Sequence, residues 1–217
     1  MYINIHTHAN KESNENHLRI YNMQLSDTTA LENNCIASIG IHPWHIPQNY
    51  EQAIAEVKTI AQKENILAIG ECGIDKLCET PIELQIKLFK AQIEISEVEK
   101  KPLIIHCVKS YNEIVELKNK IRPTQTWIIH GFRGKPQTAT MLTGAGIILS
   151  IGEKYNPETI KNIPINKILI ESDESTLSIE EIYQNIAQTR GIEVAELENE
   201  VEKTYKSIFK QNITTII

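Results

Sequence analysis

The 217 residues are 41% apolar and 23% charged, a balance suited to a chain that buries a substantial core. The formal net charge of −6 argues against a protein that grips nucleic acid through a sequence-independent basic surface, though not against an enzyme that meets one phosphate through metal ions. No apolar run is long enough to span a membrane, and the start, MYINIHTH, lacks the basic region and cleavage pattern of a signal peptide.

In chain order, strand-like apolar runs fall at Tyr2–His6, Leu18–Leu25, Cys35–Ile41, Ile66–Glu71, Pro102–His106, Thr126–His130, Gly146–Ile151 and Lys167–Glu171. Most are continuous rather than alternating, as in strands buried on both faces. Helical patterns lie between them. Thr80-Pro81 places proline at a first helical position ahead of Leu84, Leu88, Ala91 and Ile95. Ser110-Tyr111-Asn112-Glu113 reads as a capping box before Ile114 and Leu117. Pro136 opens another helix, which Gly144 closes, and Ser178-Ile179-Glu180-Glu181 is a second capping box. A last amphipathic helix carries Leu197, Val201, Tyr205, Ile208 and Phe209.

Alternating strands and helices imply a parallel sheet, and eight such strands imply a closed TIM (β/α)8 barrel in one domain over residues 1–217. The links Ala9–His17 and Ser26–Asn34 are short and the first is polar, so the first two outer helices are expected to be short or missing. That makes a barrel smaller than the roughly 250 residues usual for this architecture. Cys35, Cys72, Cys78 and Cys107 form no CxxC pair; Cys35, Cys72 and Cys107 lie in or beside strand-like runs and read as core thiols, in a reducing, cytoplasmic setting.

Six residues of metal-ligand type stand at the ends of these runs: His6 and His8 in NIHTH, Glu71 in AIGEC, His106 in LIIHC, His130 in WIIHG and Asp173 in LIESD. A parallel barrel gathers its strand ends into one crater, so residues a hundred positions apart become neighbours. A lone histidine at a strand end is more often a hydrogen-bonded core or surface residue, and only the six together point to a metal site. His6 and His8, two apart, point to the same side of the first strand and grip one ion with Asp173. Glu71 bridges two ions through its two oxygens, and His106 and His130 hold the second. Imidazole-rich ligation favours zinc or manganese over magnesium. Lys76, Lys109, Arg133, Lys135 and Lys154 follow strand ends and offer charge to an anionic substrate, Arg133 foremost because it lies three residues past His130. Glu171 and Asp75 read as groups that orient the ligands. His17 reads as ordinary surface in a polar loop.

The order HxH, Glu, His, His, Asp on strands one, four, five, six and eight resembles the amidohydrolase superfamily. GIHP (Gly40–Pro43), AIGECGID (Ala68–Asp75), the Gln85, Phe89 and Gln92 pattern, IIHC (Ile104–Cys107), IHGFRG (Ile129–Gly134) and ESD (Glu171–Asp173) are similar, in order, to the TatD family of metal-dependent deoxyribonucleases. The resemblance implies hydrolysis of DNA phosphodiester bonds, near a single-stranded or 3′ end, by water activated on one or two divalent ions, magnesium being usual in the family. It also implies that His42 contacts substrate or its phosphate, and metal-assisted hydrolysis at this ligand set is expected to have Asp173 take the water's proton and Glu71 form part of the catalytic centre. Arg133 and Lys109 are expected beside His42 as substrate contacts. A small-molecule amide, ester or lactone is the alternative substrate, and a non-catalytic metal-binding scaffold the third reading. No membrane and no obligate protein partner are expected. The chain departs from the family at Asn4 where Asp is usual, at Ala9-Asn10 for Leu-Asp, at Lys76-Leu77 for an aromatic pair, at Arg133 for Ser and at Glu174-Ser175 for Ala-Pro. The ligand set is intact, and the changes fall on loops that face substrate.

Overall fold

The computed structural model describes residues 1–9, 16–27 and 35–209. Eight parallel strands form one sheet in strict chain order: β1 (Tyr2–Thr7), β2 (His17–Met23), β3 (Ala37–Ile39), β4 (Ile66–Asp75), β5 (Leu103–Val108), β6 (Trp127–Ile129), β7 (Ile148–Ile151) and β8 (Ile168–Ile170). Among the described residues seven α-helices follow or separate them: α1 (Tyr50–Ile60), α2 (Ile82–Glu99), α3 (Tyr111–Ile121), α4 (Pro136–Gly144), α5 (Pro157–Asn162), α6 (Ile179–Arg190) and α7 (Val194–Phe209). Neither α1 nor the six-residue α5 was anticipated. The start of α1 has no capping side chain, and only Ala53 and Val57 of its apolar face are buried. Asn156 caps α5, accepting from the amides of Glu158 and Thr159, but so short a helix shows no periodicity. The expected stunting of the first two outer helices concerns 10–15 and 28–34, which lie outside the described residues.

The sheet closes between β8 and β1 through a short seam. Thr7 bridges Asp173 in parallel, Asp173 N–H donates to His6 O (3.0 Å), and His8 N–H donates to Asp173 O (3.3 Å). Asn4 completes it: its amide donates to Ser172 Oγ (2.8 Å) while its oxygen accepts from Ser172 N–H (3.0 Å). A carboxylate at position 4 has no N–H to donate, so the amide suits this seam. On the same strand the Tyr183 hydroxyl accepts from Ile3 N–H (3.2 Å) and donates to Ile3 O (2.9 Å).

Two irregularities in register aim the site. Asn4 pairs with Arg19 but Thr7 with Tyr21, so β1 carries one residue more than its partner between Asn4 and Thr7, the stretch that contains His6. Ile69 pairs with Leu103 but Cys72 with Ile105, so β4 carries an extra residue at Gly70 or Glu71. Bulges of this kind redirect a side chain without ending the strand. β4 therefore continues to Asp75, and Glu71 lies inside it rather than at its end as the sequence suggested. Gly70 and Gly73 let β5 close on this stretch: a Cβ at Gly70 would sit 2.4 Å from Ile104 O, and one at Gly73 2.1 Å from His106 O.

The helices hold the crater from outside. The buried face of α2 contains Gln85 and Gln92 beside Leu88, Phe89 and Ile95, while Leu84 and Ala91 are half-buried. Gln92 accepts from Ile41 N–H (2.7 Å) and donates back to Ile41 O, which pins the chain next to His42. Gln85 does the same at Asp75, accepting from its N–H (2.8 Å) and donating to its carbonyl (3.0 Å). The capping box at Ser178 forms as expected. The one at Ser110 does not: its hydroxyl donates instead to Ile74 O (2.7 Å), tying the start of α3 to β4. His17 is not loop surface either. It opens β2, stacks on Tyr2 and meets Glu180 at 2.5 Å.

Candidate metal centre

His6 and His8 rise from the end of β1, His106 from β5, and His130 and Asp173 from the residues just past β6 and β8. All converge on Glu71. Its Oε1 lies 2.6 Å from His130 Nε2, 2.8 Å from His106 Nδ1 and 3.2 Å from His42 Nε2. Its Oε2 lies 3.5 Å from His6 Nε2 and 4.0 Å from His8 Nε2. One carboxylate thus turns its two oxygens toward two groups of histidines. Asp173 Oδ1 stands 3.7 Å from His6 Nε2 and 3.5 Å from His8 Nε2.

Three sets of side chains each bring ligand atoms within 4.8 Å of one another: His6, His8 and Glu71; His6, His130 and Asp173; and His42, Glu71 and His106. His130 therefore stands between His106, 3.4 Å away, and the His6 and Asp173 group, its ring centroid 4.3 Å from that of His6. His42 falls among the potential ligands as well as facing the crater.

These residues suit a divalent cation on their own chemistry. His6 is fully buried, and neither of its ring nitrogens has a hydrogen-bond partner. Leaving two such atoms unsatisfied is costly unless a further group meets them. The separations of 3.5–4.0 Å among His6, His8, Glu71 Oε2 and Asp173 are too long for good hydrogen bonds. They match atoms that share one ion at bond lengths of about 2.0–2.2 Å.

The surrounding groups fix orientation and charge. Asn22 of β2 accepts from Glu71 N–H (3.0 Å) and donates to Glu71 Oε2 (3.2 Å). Sequence reading missed Asn22, although a polar side chain in the apolar run LRIYNM was a visible signal. Asp75 Oδ2 faces His106 Nε2 at 3.0 Å, leaving Nδ1 for the centre, and Glu171 Oε1 stands 3.5 Å from His130 Nδ1. Burial alone would raise the Glu71 carboxyl, but His130, His106 and His42 hold it well below the usual range. Burial would lower His130, yet Glu71 and Glu171 raise it well above an ordinary imidazole. Glu171 is held down against its burial by His130. Burial and the neighbouring His6 lower His8, while burial lowers His42 against the pull of Glu71. These directions favour the charged form of His130, between Glu71 and Glu171, and the neutral form of His8 and His42.

The crater opens into a cavity of about 430 Å³ lined by His8, His42, Trp44, Glu71, His106 and Asp173. A second hollow of about 360 Å³ shares Asp173 and Glu174 with it and is lined by both cationic side chains and further carboxylates, Arg133 and Lys154 beside Glu153 and Glu171. Arg133 is exposed there, whereas Lys109 is exposed and lines neither cavity. Lys76 is paired with Glu113. Cys35, Cys72 and Cys107 are buried, no disulfide is present among the described residues, and no described helix is long and apolar enough to cross a membrane.

A family model described as TatD related DNase matches residues 5–210. An uncharacterized metal-dependent hydrolase of Buchnera aphidicola is 31% identical over 198 residues, 82% of this chain and 74% of that one. A 3′-5′ ssDNA/RNA exonuclease TatD of Erwinia billingiae is 27% identical over 150 residues, 64% of this chain and 57% of that one. The chain thus spans from somewhat over half to about three quarters of the length of these two relatives. The crystal structure of a TatD homolog from Escherichia coli superposes with a TM-score of 0.80 at 17% identity, covering 89% of this chain and 86% of that one. A TatD family hydrolase from Entamoeba histolytica gives 0.74 at 15%, covering 96% and 97%; at these identities the likeness is one of fold.

Proposed function

The chain belongs to the TatD-related DNase family and is a metal-dependent hydrolase, and from that premise we propose that it cleaves phosphodiester bonds of single-stranded DNA from an end. The observation that carries the proposal is Glu71, with one oxygen toward His6 and His8 and the other toward His106 and His130. His6, His8 and Asp173 would hold one divalent cation and His106 and His130 a second, with Glu71 within reach of both groups. His42 is either a further ligand or the first contact of the substrate phosphate. When bound, such cations lower the pKa of a coordinated water toward neutrality and draw charge from a phosphoryl oxygen.

The chain's own residues supply the rest. Glu71, Asp75, Glu171 and Asp173 make the bare crater acidic, so a phosphodiester is repelled until cations are in place. Asp173, only partly buried and facing the cavity, accepts the proton of the attacking water and returns it to the leaving oxygen. Arg133 meets a phosphate from the adjoining hollow. Asp75 and Glu171 keep His106 and His130 in the tautomer and orientation that serve the centre. The enzyme works in a reducing, cytoplasmic compartment.

The test is a 5′-labelled single-stranded oligonucleotide incubated with protein and magnesium, manganese or zinc, beside a panel of aryl esters, amides and lactones. Stepwise shortening of the oligonucleotide that a chelator abolishes is the expected result. Turnover of the small esters or amides with the oligonucleotide left intact would overturn the choice of substrate.

A further inference from the structure

Five large apolar side chains are well exposed among the described residues: Trp44, Leu77, Val98, Ile121 and Met141. The last three lie on the outer helices α2, α3 and α4. Trp44 and Leu77 lie in the loops that follow β3 and β4, at the mouth of the crater, and are 58% and 63% exposed. Both are tied to one carboxylate: Trp44 Nε1 donates to Asp75 Oδ2 (2.7 Å), and Leu77 N–H donates to Asp75 Oδ1 (2.7 Å). The two loops are also joined by Thr80 Oγ1 donating to Pro43 O (2.9 Å).

The indole is therefore held by its edge while much of its surface stays open. Its backbone N–H donates to His42 Nδ1 (3.1 Å), its ring stands edge-on to His42 at 5.3 Å, and it is 6.0 Å from the His106 ring. It lines the same cavity as Glu71 and Asp173. A fixed, water-exposed aromatic surface beside carboxylates gives an anion nothing to bind, so it is no place for a phosphate. It suits a flat, neutral ring joined to whatever reacts in the crater.

We infer that Trp44 is the stacking platform for a nucleobase of the strand being cleaved, with Leu77 flanking it. The inference rests on the nuclease reading above and deepens it, because it assigns this side of the crater to a base and the Arg133 hollow to a phosphate. Stacking tolerates any base, since every base has a π-face. The platform thus gives affinity without sequence preference, in a chain whose net charge of −6 offers little general attraction for DNA.

The experiment compares oligonucleotides that end in ordinary nucleotides with ones whose last three positions are abasic, using wild-type protein, Trp44→Ala, Trp44→Gln and Trp44→Phe. Wild type should prefer the base-bearing end by roughly tenfold or more in kcat/KM, chiefly through KM. Trp44→Ala and Trp44→Gln should lose that preference, although Gln keeps an N–H for Asp75. Trp44→Phe, which keeps a ring and loses the N–H, should retain most of it. An unchanged preference in Trp44→Ala, or none in wild type, would overturn the inference while leaving DNA hydrolysis standing. Fluorescence separates the opposite case. The chain has two tryptophans and Trp127 is fully buried, so emission quenched by acrylamide reports Trp44. Protection from acrylamide by a thymidine oligomer, but not by its abasic counterpart, would uphold the platform even if no oligonucleotide were cleaved. Equal protection by both would count against it.

Discussion

Replacing Glu71 by Gln removes one charge at nearly constant shape and tests whether this side chain joins the two halves of the centre. The Glu71 oxygens lie 2.6 Å from His130 and 2.8 Å from His106 on one side, and 3.5 Å from His6 on the other. Breaking a buried ion pair costs about 3–5 kcal/mol while the orphaned charge persists. His130 escapes most of that by giving up its proton, which leaves the loss of a buried hydrogen-bonded partner, about 1–3 kcal/mol. For a chain of 217 residues, at about 2–4 °C per kcal/mol, the variant should melt roughly 5 °C lower without metal. The larger effect is on cation binding. A cation present at a hundred times its Kd stabilises the folded state by about 2.7 kcal/mol, or roughly 5–10 °C. Thermal melts with chelator and with manganese or zinc should show that shift in wild type and less than about 2 °C of it in Glu71→Gln. A variant that kept the full metal-induced shift would refute the role given to Glu71.

Asp173→Asn should lower hydrolysis by roughly 10²–10⁴-fold, and undiminished turnover would remove Asp173 as the proton acceptor. His130 is raised in the metal-free protein by Glu71 and Glu171, so a cation must displace its proton. Calorimetric titrations in buffers of different ionisation enthalpy should show net proton release, with affinity rising as pH climbs through the raised His130 value; binding without proton release would contradict this. The same group's contribution to metal-free stability is full below the ordinary imidazole value and fades as pH rises through the raised one. The depressed Glu71 works in the opposite direction: its contribution is present above the ordinary carboxylate value and is lost as pH falls through the lowered one. Gly73→Ala should destabilise by at least about 2 kcal/mol in chemical denaturation, because its Cβ would sit 2.1 Å from His106 O at a φ of +146°. A neutral effect there would mean that β4 and β5 have slack the structure does not show.

The barrel was legible because strands buried on both faces are written as continuous apolar runs, and all eight were found within a few residues of their observed bounds. Convergence of the six ligand-type residues followed from the parallel topology alone. What the sequence hid was finer. The run Ile66–Glu71 looked complete at its charged residue, yet β4 continues because a bulge turns Glu71 into the crater and lets the strand go on to Asp75. Ser110 had capping-box spacing, but a buried carbonyl at Ile74 outcompeted the helix start for its hydroxyl. Gln85 and Gln92 were visible as a motif, but their task of gripping the backbone at Asp75 and Ile41 depends on α2 packing across two loops. Asn4, a departure from the family pattern, becomes intelligible only once β8 is placed beside β1.

The divalent-metal centre and the DNA hydrolysis proposed for this chain depend on each other. The measurement that tests it most directly is the metal content of each preparation, taken together with nucleotide release from a single-stranded oligonucleotide. Protein stripped by chelator should be inactive, and activity should return in proportion to bound metal in wild type but not in Asp173→Asn. Release by the stripped protein, or none by fully loaded wild type on any single-stranded end, would contradict it.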